Sequence, residues 1–371
     1  VKVNMANNNT VADPWDVALN RFDNRGYRES LGGVNPTGAS AWYINERGEK
    51  ELIGKCMRAV YYSKKKVPRS NPIGESNKMK FLMGVGLEDY IQEMWSGAGV
   101  LLGSNIKLRQ NISKDPAQEI MLSGEVDALL RYSEFEIGSD GVERLVIDPT
   151  KAIGIEVKTS YGHWKQKQLG GNEVYDVGFP QLEHLMQTAL YLHTRHVLED
   201  YYNVEIPFFV ITYLLRDSGF KKSFRIELSD GYEGRVVVKT MDGEEITPNG
   251  AMALKWNTNV QPIELTIDMM RERFAETVHH LETDTLPDRD FKLRYSDDEA
   301  KQLFDLGVLS KTKYANHGKD PLAEIGDWNC AYCDWKDLCY PQGVFTVDVE
   351  NGVLTVNEAL AEYGIGGVAD D

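Results

Sequence analysis

Two stretches of this sequence gather residue types that can do chemistry. The first is Ser123-Gly124-Glu125-Val126-Asp127, followed beyond a turn signal at Ser139-Asp140-Gly141 by Ile153-Gly154-Ile155-Glu156-Val157-Lys158. On a strand, residues two apart leave the same face, so Glu156 and Lys158 point one way while Ile155 and Val157 point toward a core. A lysine and a carboxylate on an otherwise apolar strand cost free energy unless they are paired or employed. By itself Glu-x-Lys is common, and reads as an ion pair on the wet face of an edge strand. Asp127 changes that reading, because a neighbouring strand can bring it alongside Glu156. Converging carboxylates make an oxygen-rich site suited to Mg2+ or Mn2+. Such an ion polarises a phosphodiester and acidifies a bound water. A lysine there can hold that water or offset charge building on the phosphorane.

The second stretch is Cys330-Ala-Tyr-Cys333-Asp-Trp-Lys-Asp-Leu-Cys339, a C-x2-C-x5-C array. Two thiolates three apart on a tight turn can share one metal centre, and a third six residues on can close over it. A site of four thiolates needs one more ligand, and Cys56 is the one cysteine left of the chain's four. In a chain expected to be cytoplasmic, clustered thiols favour metal ligation over disulfides. The spacing leaves an iron–sulfur cluster and a structural Zn2+ both open.

The order of these residues resembles a known family. Asp127 followed by Glu156-x-Lys158 is similar to the core motif of the PD-(D/E)XK nuclease superfamily, and Gly124-x-x-Asp127 to its RecB-type form. That branch carries a glycine followed four residues later by a metal-binding His. Here Gly84-Val-Gly-Leu-Glu88 keeps the spacing and supplies a harder oxygen ligand. Its Gln-x-x-x-Tyr helix signature is matched by Gln187-Thr-Ala-Leu-Tyr191, with His184 on the same helical face. Cys56-Met-Arg58-Ala-Val-Tyr61, with the late cysteines, resembles the iron–sulfur branch, which includes the AddB nuclease domain, exonuclease V-like proteins and CRISPR-associated iron–sulfur nucleases.

The resemblance implies an α/β fold with a PD-(D/E)XK core, a central mixed sheet flanked by helices. Cys56, Cys330, Cys333 and Cys339 would hold a [4Fe–4S] cluster joining the N- and C-terminal segments, with Zn2+ the alternative. Glu88, Asp127, Glu156 and the Val157 carbonyl would bind Mg2+ or Mn2+. Lys158 would position or activate the attacking water, and Gln187 and Tyr191 would orient the phosphate. Arg58, Lys64, Lys65, Lys66, Arg69, Lys165, Lys167 and His184 would guide DNA. A non-catalytic DNA-binding or assembly subunit that keeps fold and cluster is the alternative function.

The elements that must position these residues follow from periodicity. Apolar positions Phe81, Leu82, Val85, Leu87, Ile91 and Met94 predict a helix with a buried face over 81–95. Strands are expected over 125–131, 145–147 and 152–158, and a helix over 180–199 from the stripe Leu182, Leu185, Met186, Ala189, Leu190, Leu192 and Val197. Further strands are expected over 208–215, 222–228 and 235–240, then a helix over 263–281 with Pro287 beyond it. That order predicts an α/β fold with a mixed sheet. Residues 1–50 read as an N-terminal arm, 51–340 as the nuclease domain and 341–371 as an acidic tail.

Composition bounds the rest. The 371 residues are 42% apolar and 26% charged, as in an ordinary globular chain. No apolar run is long enough to span a bilayer and no signal-peptide pattern is seen, so a cytoplasmic protein with no membrane partner is expected. The net charge of −16 argues against non-specific coating of nucleic acid. It is unevenly spread, since residues 55–80 hold eight bases against Glu75, while 341–371 hold six acids and no base. A small basic surface on an acidic whole points to a narrow channel for a single strand or a DNA end, and so to exonuclease action. No G-x-x-x-x-G-K-[ST] motif occurs, so unwinding would fall to a helicase or recombination partner.

Overall fold

The computed structural model describes residues 32–44, 50–72, 74–115, 117–171, 177–229, 234–246, 264–320 and 323–340, and the backbone of 346–349 and 352–355. In chain order these form β1 (Ser40–Ile44), β2 (Lys50–Gly54), α1 (Met57–Lys64), α2 (Glu75–Gly97), β3 (Leu101–Asn111), β4 (Met121–Ile137) and β5 (Glu143–Ser160). There follow α3 (His163–Gly170), α4 (Leu182–His193), α5 (His196–Tyr202), β6 (Phe209–Leu215), β7 (Lys221–Leu228) and β8 (Val236–Lys239). The chain ends in α6 (Ile267–Thr283), α7 (Asp297–Asp305), α8 (Lys311–Lys319), two short turns α9 (Trp328–Ala331) and α10 (Lys336–Cys339), and the hairpin β9 (Thr346–Val349)–β10 (Gly352–Thr355).

Six strands make the central sheet in the order β3-β4-β5-β6-β7-β8. β5 and β6 are parallel and the other neighbours antiparallel, so the sheet is mixed, as expected. Parallel neighbours need a crossover, which α3, α4 and α5 supply. The strands expected over 125–131, 145–147 and 152–158 are parts of two long strands. β4 and β5 continue beyond the sheet as a ribbon from Tyr132↔Asp148 to Ile137↔Glu143, past a register shift at Arg131/Tyr132. Edge strand β3 has no sequence expectation because Leu108 is its one buried residue, which leaves no alternation to read.

Helices cover both faces of the sheet. On one, Met186, Ala189 and Leu190 of α4 and Met270 and Phe274 of α6 pack with Phe209, Ile211, Tyr213 and Phe224. On the other, Ile91 and Trp95 of α2 pack with Ala128, Leu130, Ile155, Val157 and Val210. The helix expected over 81–95 is α2, and its apolar face is buried only in part: Leu82, Val85, Leu87 and Ile91 are half-buried, Ile91 against the sheet, while Phe81 and Met94 are exposed. The helix expected over 180–199 breaks at Thr194, whose hydroxyl donates to the carbonyls of Leu190 and Tyr191. That over 263–281 starts at Ile267, where the Thr266 side chain caps it by accepting from the Met269 amide.

The boundary expected at residue 50 falls within the hairpin β1–β2, paired from Ser40↔Gly54 to Ile44↔Lys50. Val34, Ala39, Ala41 and Tyr43 belong to the main core, so 32–44 are not a detached arm. Residues 1–31, and most of the acidic tail, lie outside the described residues. No helix among the described residues is long and apolar enough to cross a membrane.

Candidate active site and cysteine cavity

Sheet register brings the carboxylates together. β4 and β5 pair at Ala128↔Ile155, and the next step along the ladder sets Asp127 opposite Glu156. Asp127 Oδ2 accepts the Val157 amide proton at 2.7 Å, which ties it to β5. Ile155 and Val157 are buried toward α2, as alternation requires. Glu156 is 1% exposed on an interior strand, so the edge-strand reading of Glu-x-Lys does not hold. Its Oε1 accepts from the Lys158 ammonium and, at 2.7 Å, from Gln187 Nε2. Its Oε2 is buried and has no hydrogen-bond partner among the described residues. Burial pushes the Glu156 pKa up to about 8, against the pull of Lys158 and helped by the charges of Asp127 and Glu88.

Helix α4 supplies the second layer. Gln187 accepts from Lys158 at 3.2 Å through Oε1, so one amide bonds both members of the ion pair. The Tyr191 hydroxyl accepts from the Glu125 amide at 3.3 Å and lies 3.5 Å from Gln187 Nε2. Both side chains are buried; Gln187 bonds the carboxylate–lysine pair directly and Tyr191 stands behind Gln187. Gly124 is a packing requirement here: a Cβ would stand 2.7 Å from the Tyr191 ring. The Tyr213 hydroxyl accepts from the Gln181 amide at 3.0 Å and is hydrogen-bonded to His184 Nδ1 at 2.9 Å. Burial, reinforced by Lys158, holds His184 well below the usual histidine range, so it is neutral.

Helix α2 lies against the other side of β5 through a stripe four residues apart: Lys80, Gly84, Glu88 and Gln92. Gly84 permits the approach, because a Cβ would come 2.8 Å from Thr159 Oγ1. Gln92 donates to the Asp127 carbonyl at 3.1 Å and lies 3.5 Å from Glu88 Oε1. Glu88 therefore approaches from the opposite face, and its charge is the smallest of the named influences on Glu156. Gln92 escaped the sequence reading, though its place one turn beyond Glu88 was the available signal.

Several of the bases expected to guide DNA are engaged elsewhere. Arg58 is buried, donates from Nε to the Pro287 carbonyl at 2.7 Å and lines the cysteine cavity. It is a structural cation and not a surface contact. Lys65 pairs with Asp284, Arg69 with Asp334 at 3.2 Å, and Lys64 donates to Asn35. Lys66 and Lys167 are exposed. Lys165 donates to Gln168 Oε1 at 3.1 Å and is close enough to His184 to lower its pKa.

Far along the chain but adjoining in space, Cys56, Cys330, Cys333 and Cys339 line one cavity with Arg58, Arg289 and Lys336. Cys56 caps α1, whose Met57 amide donates to Asp290 Oδ2 at 2.6 Å. Asn71 Nδ2 donates to the Cys333 carbonyl at 3.1 Å, and Trp335 Nε1 to the Val67 carbonyl at 2.9 Å. Tyr61, Tyr62, Val67, Trp335, Leu338 and Cys339 form a separate small core. Burial pushes the Cys330 thiol up to about 12 and Cys339 up to about 11. Arg58 and Arg289 pull Cys339 down, and backbone amides at residues 58, 59 and 290 do the same to Cys56. Among the described residues no group of three or more His, Cys, Asp and Glu is already gathered around a metal-sized point.

No family model matches the sequence, and no curated protein does. The crystal structure of SSO0001 aligns with 58% of this chain and 77% of its own, at 15% identity and a TM-score of 0.33.

Proposed function

We propose that this protein is a divalent-metal-dependent nuclease of the PD-(D/E)XK type, acting as an exonuclease on single-stranded DNA or DNA ends. The observation that carries the reading is Glu156 Oε2, an acidic oxygen buried without a partner beside Asp127 and Lys158. Burying such an atom is costly, and a cation held by Glu156 and Asp127 would offset that cost. An all-oxygen donor set suits Mg2+ or Mn2+. When bound, the ion supplies Lewis-acid polarisation of the phosphate and a more acidic water.

The chain's own residues do the rest. Asp127, Glu156 and the Val157 carbonyl would hold the ion, and Glu88 would add negative charge from α2. Lys158 holds the attacking water and offsets charge on the phosphorane. Gln187 fixes Lys158 and Glu156 together, and Tyr191 fixes Gln187. The four cysteines fit a [4Fe–4S] cluster: they share one cavity, and Arg58 and Arg289 balance thiolate charge there. Cys56, Cys330, Cys333 and Cys339 would hold it as a structural staple between the ends of the domain. A helicase or recombination protein is the partner such an exonuclease would require on duplex DNA.

The test is degradation of end-labelled single- and double-stranded DNA with Mn2+ by anaerobically purified protein, beside Lys158→Ala. Wild-type cleavage lost in the variant is the expected result. Absence of cleavage by protein with its cluster intact would favour a binding subunit instead. A brown preparation with iron and sulfide distinguishes the cluster from colourless zinc.

A further inference from the structure

We propose that Tyr161, Lys80 and Arg216 form a single-strand subsite beside the carboxylates, where Tyr161 stacks on an unpaired base and the two cations take its flanking phosphates. The inference rests on the nuclease reading and specifies how that site would receive its substrate. Three elements bring these residues to one place. β5 runs through Glu156 and Lys158 to Ser160, and Tyr161 is the next residue. At the rise of a strand it lies ~10 Å along from Lys158, on the α2 side with Val157 and Thr159, at the strand end where a nucleotide adjoining the one being cut can reach it. Ser160 pairs with Leu215 at the end of the parallel strand β6, so Arg216 emerges beside it, and the Arg216 amide donates to the Ser160 carbonyl at 2.9 Å. Lys80 stands two turns before Glu88 on α2, and the Arg216 guanidinium donates to its carbonyl.

The phenol is accessible, with two cations held near its ring. Tyr161 is 52% exposed. Lys80 Nζ donates to its hydroxyl at 3.3 Å. Lys80 and Arg216 stand 5.2 and 5.5 Å from the ring centroid, whereas Arg225 lies on Phe208 at 3.9 Å. Both cations at Tyr161 stand over the ring within cation–π range, farther out than Arg225 on Phe208.

The charges are also uncompensated. In a chain of net charge −16, Lys65 and Arg69 are each paired with an aspartate. Lys80 and Arg216 meet no carboxylate within ion-pair distance among the described residues. The nearby Asp217 accepts from the Gly162 amide at 2.8 Å. An exposed aromatic face flanked by two such cations matches a nucleotide in an unpaired strand, which presents a flat base and phosphates together. A duplex keeps its bases stacked on one another, so this subsite selects single strands and frayed ends.

The experiment measures binding of a labelled single-stranded oligonucleotide carrying 2-aminopurine, with Ca2+ in place of Mn2+, alongside Mn2+-dependent cleavage. Tyr161→Ala weakens binding about tenfold or more and removes the quenching of 2-aminopurine, while Tyr161→Phe keeps both. Lys80→Ala and Arg216→Ala each lower the slope of log affinity against log salt by about one. Each variant melts within a few degrees of wild type, because these side chains are not in the core. If wild type cleaves and Tyr161→Ala binds and quenches as wild type does, the subsite is overturned and the nuclease reading stands. If binding and quenching depend on Tyr161 but no divalent ion supports cleavage, the subsite stands and the nuclease reading falls. Failure of wild type to bind the oligonucleotide overturns the subsite outright.

Discussion

The carboxylate site and the cysteine cavity are held together by different means. Asp127, Glu156 and Lys158 sit on adjoining strands, so the β4–β5 register alone brings them side by side. Cys56 reaches Cys330, Cys333 and Cys339 only through the packing of α1 on the segment after α6. There Arg58 meets Pro287, Tyr61 meets Asp284, and Met57 meets Asp290. Strain in the first place is electrostatic, as Glu156 is buried against its preference for the charged form. In the second the cost is buried thiols and chain entropy, which the proposed centre would offset. On that proposal a site of the first kind can lose function while the fold persists, and one of the second kind cannot.

Substitutions can break that contrast. The largest expected effect is Lys158→Ala, which should lower the cleavage rate by about 10²–10⁴ and leave the thermal midpoint within a few degrees. Comparable loss of stability would mean that the ion pair is structural. Cys330→Ser or Cys339→Ser should do the reverse, destabilising the domain by about 3 kcal/mol or more and exposing residues 55–71 and 323–340 to protease. Unaltered melting in these variants would remove the staple from the account.

Glu156→Gln sharpens the electrostatic half. The Glu156 carboxyl titrates near 8 in the fold against an ordinary 4.5. Between those values the unfolded chain has released the proton and the folded chain retains it, so this group's contribution to stability falls as pH rises. In EDTA the amide should therefore raise the melting midpoint by about 2 °C or more at pH 8, with the gain shrinking toward pH 4. Gly84→Ala should cost about 1–2 kcal/mol by forcing α2 from Thr159, and Thr159→Ala should recover much of it in a double-mutant cycle. Smallest of all, Lys65→Ala with Arg69→Ala should change oligonucleotide affinity by less than about 0.5 kcal/mol, since both cations are already paired. A larger loss would return them to the DNA path.

Much of the site was legible before folding. Period-two alternation put Glu156 and Lys158 on one face with Ile155 and Val157 on the other, and helical spacing grouped His184, Gln187 and Tyr191. The two motif glycines acquire a physical reason from the contacts of Gly84 with Thr159 and Gly124 with Tyr191. The buried face of α2 was legible only in part: Ile91 of the predicted stripe packs on the sheet, while Phe81 and Met94 are exposed. The side laid on the sheet joins Ile91 and Trp95 to the polar stripe through Gly84, where close backbone approach leaves no room for a side chain.

Local pattern, then, was enough for the mixed α/β class, for the neighbours Glu156 and Lys158 and for the grouping of thiols at 330–339, because each depends on spacing within one segment. Tertiary structure alone decided that Glu156 is buried with an unpartnered oxygen, that Cys56 joins the late cysteines, and that Arg58, Lys65 and Arg69 are engaged while Lys80 and Arg216 meet no carboxylate among the described residues. Burial and charge pairing are properties of which distant segments meet, and no local periodicity encodes that meeting.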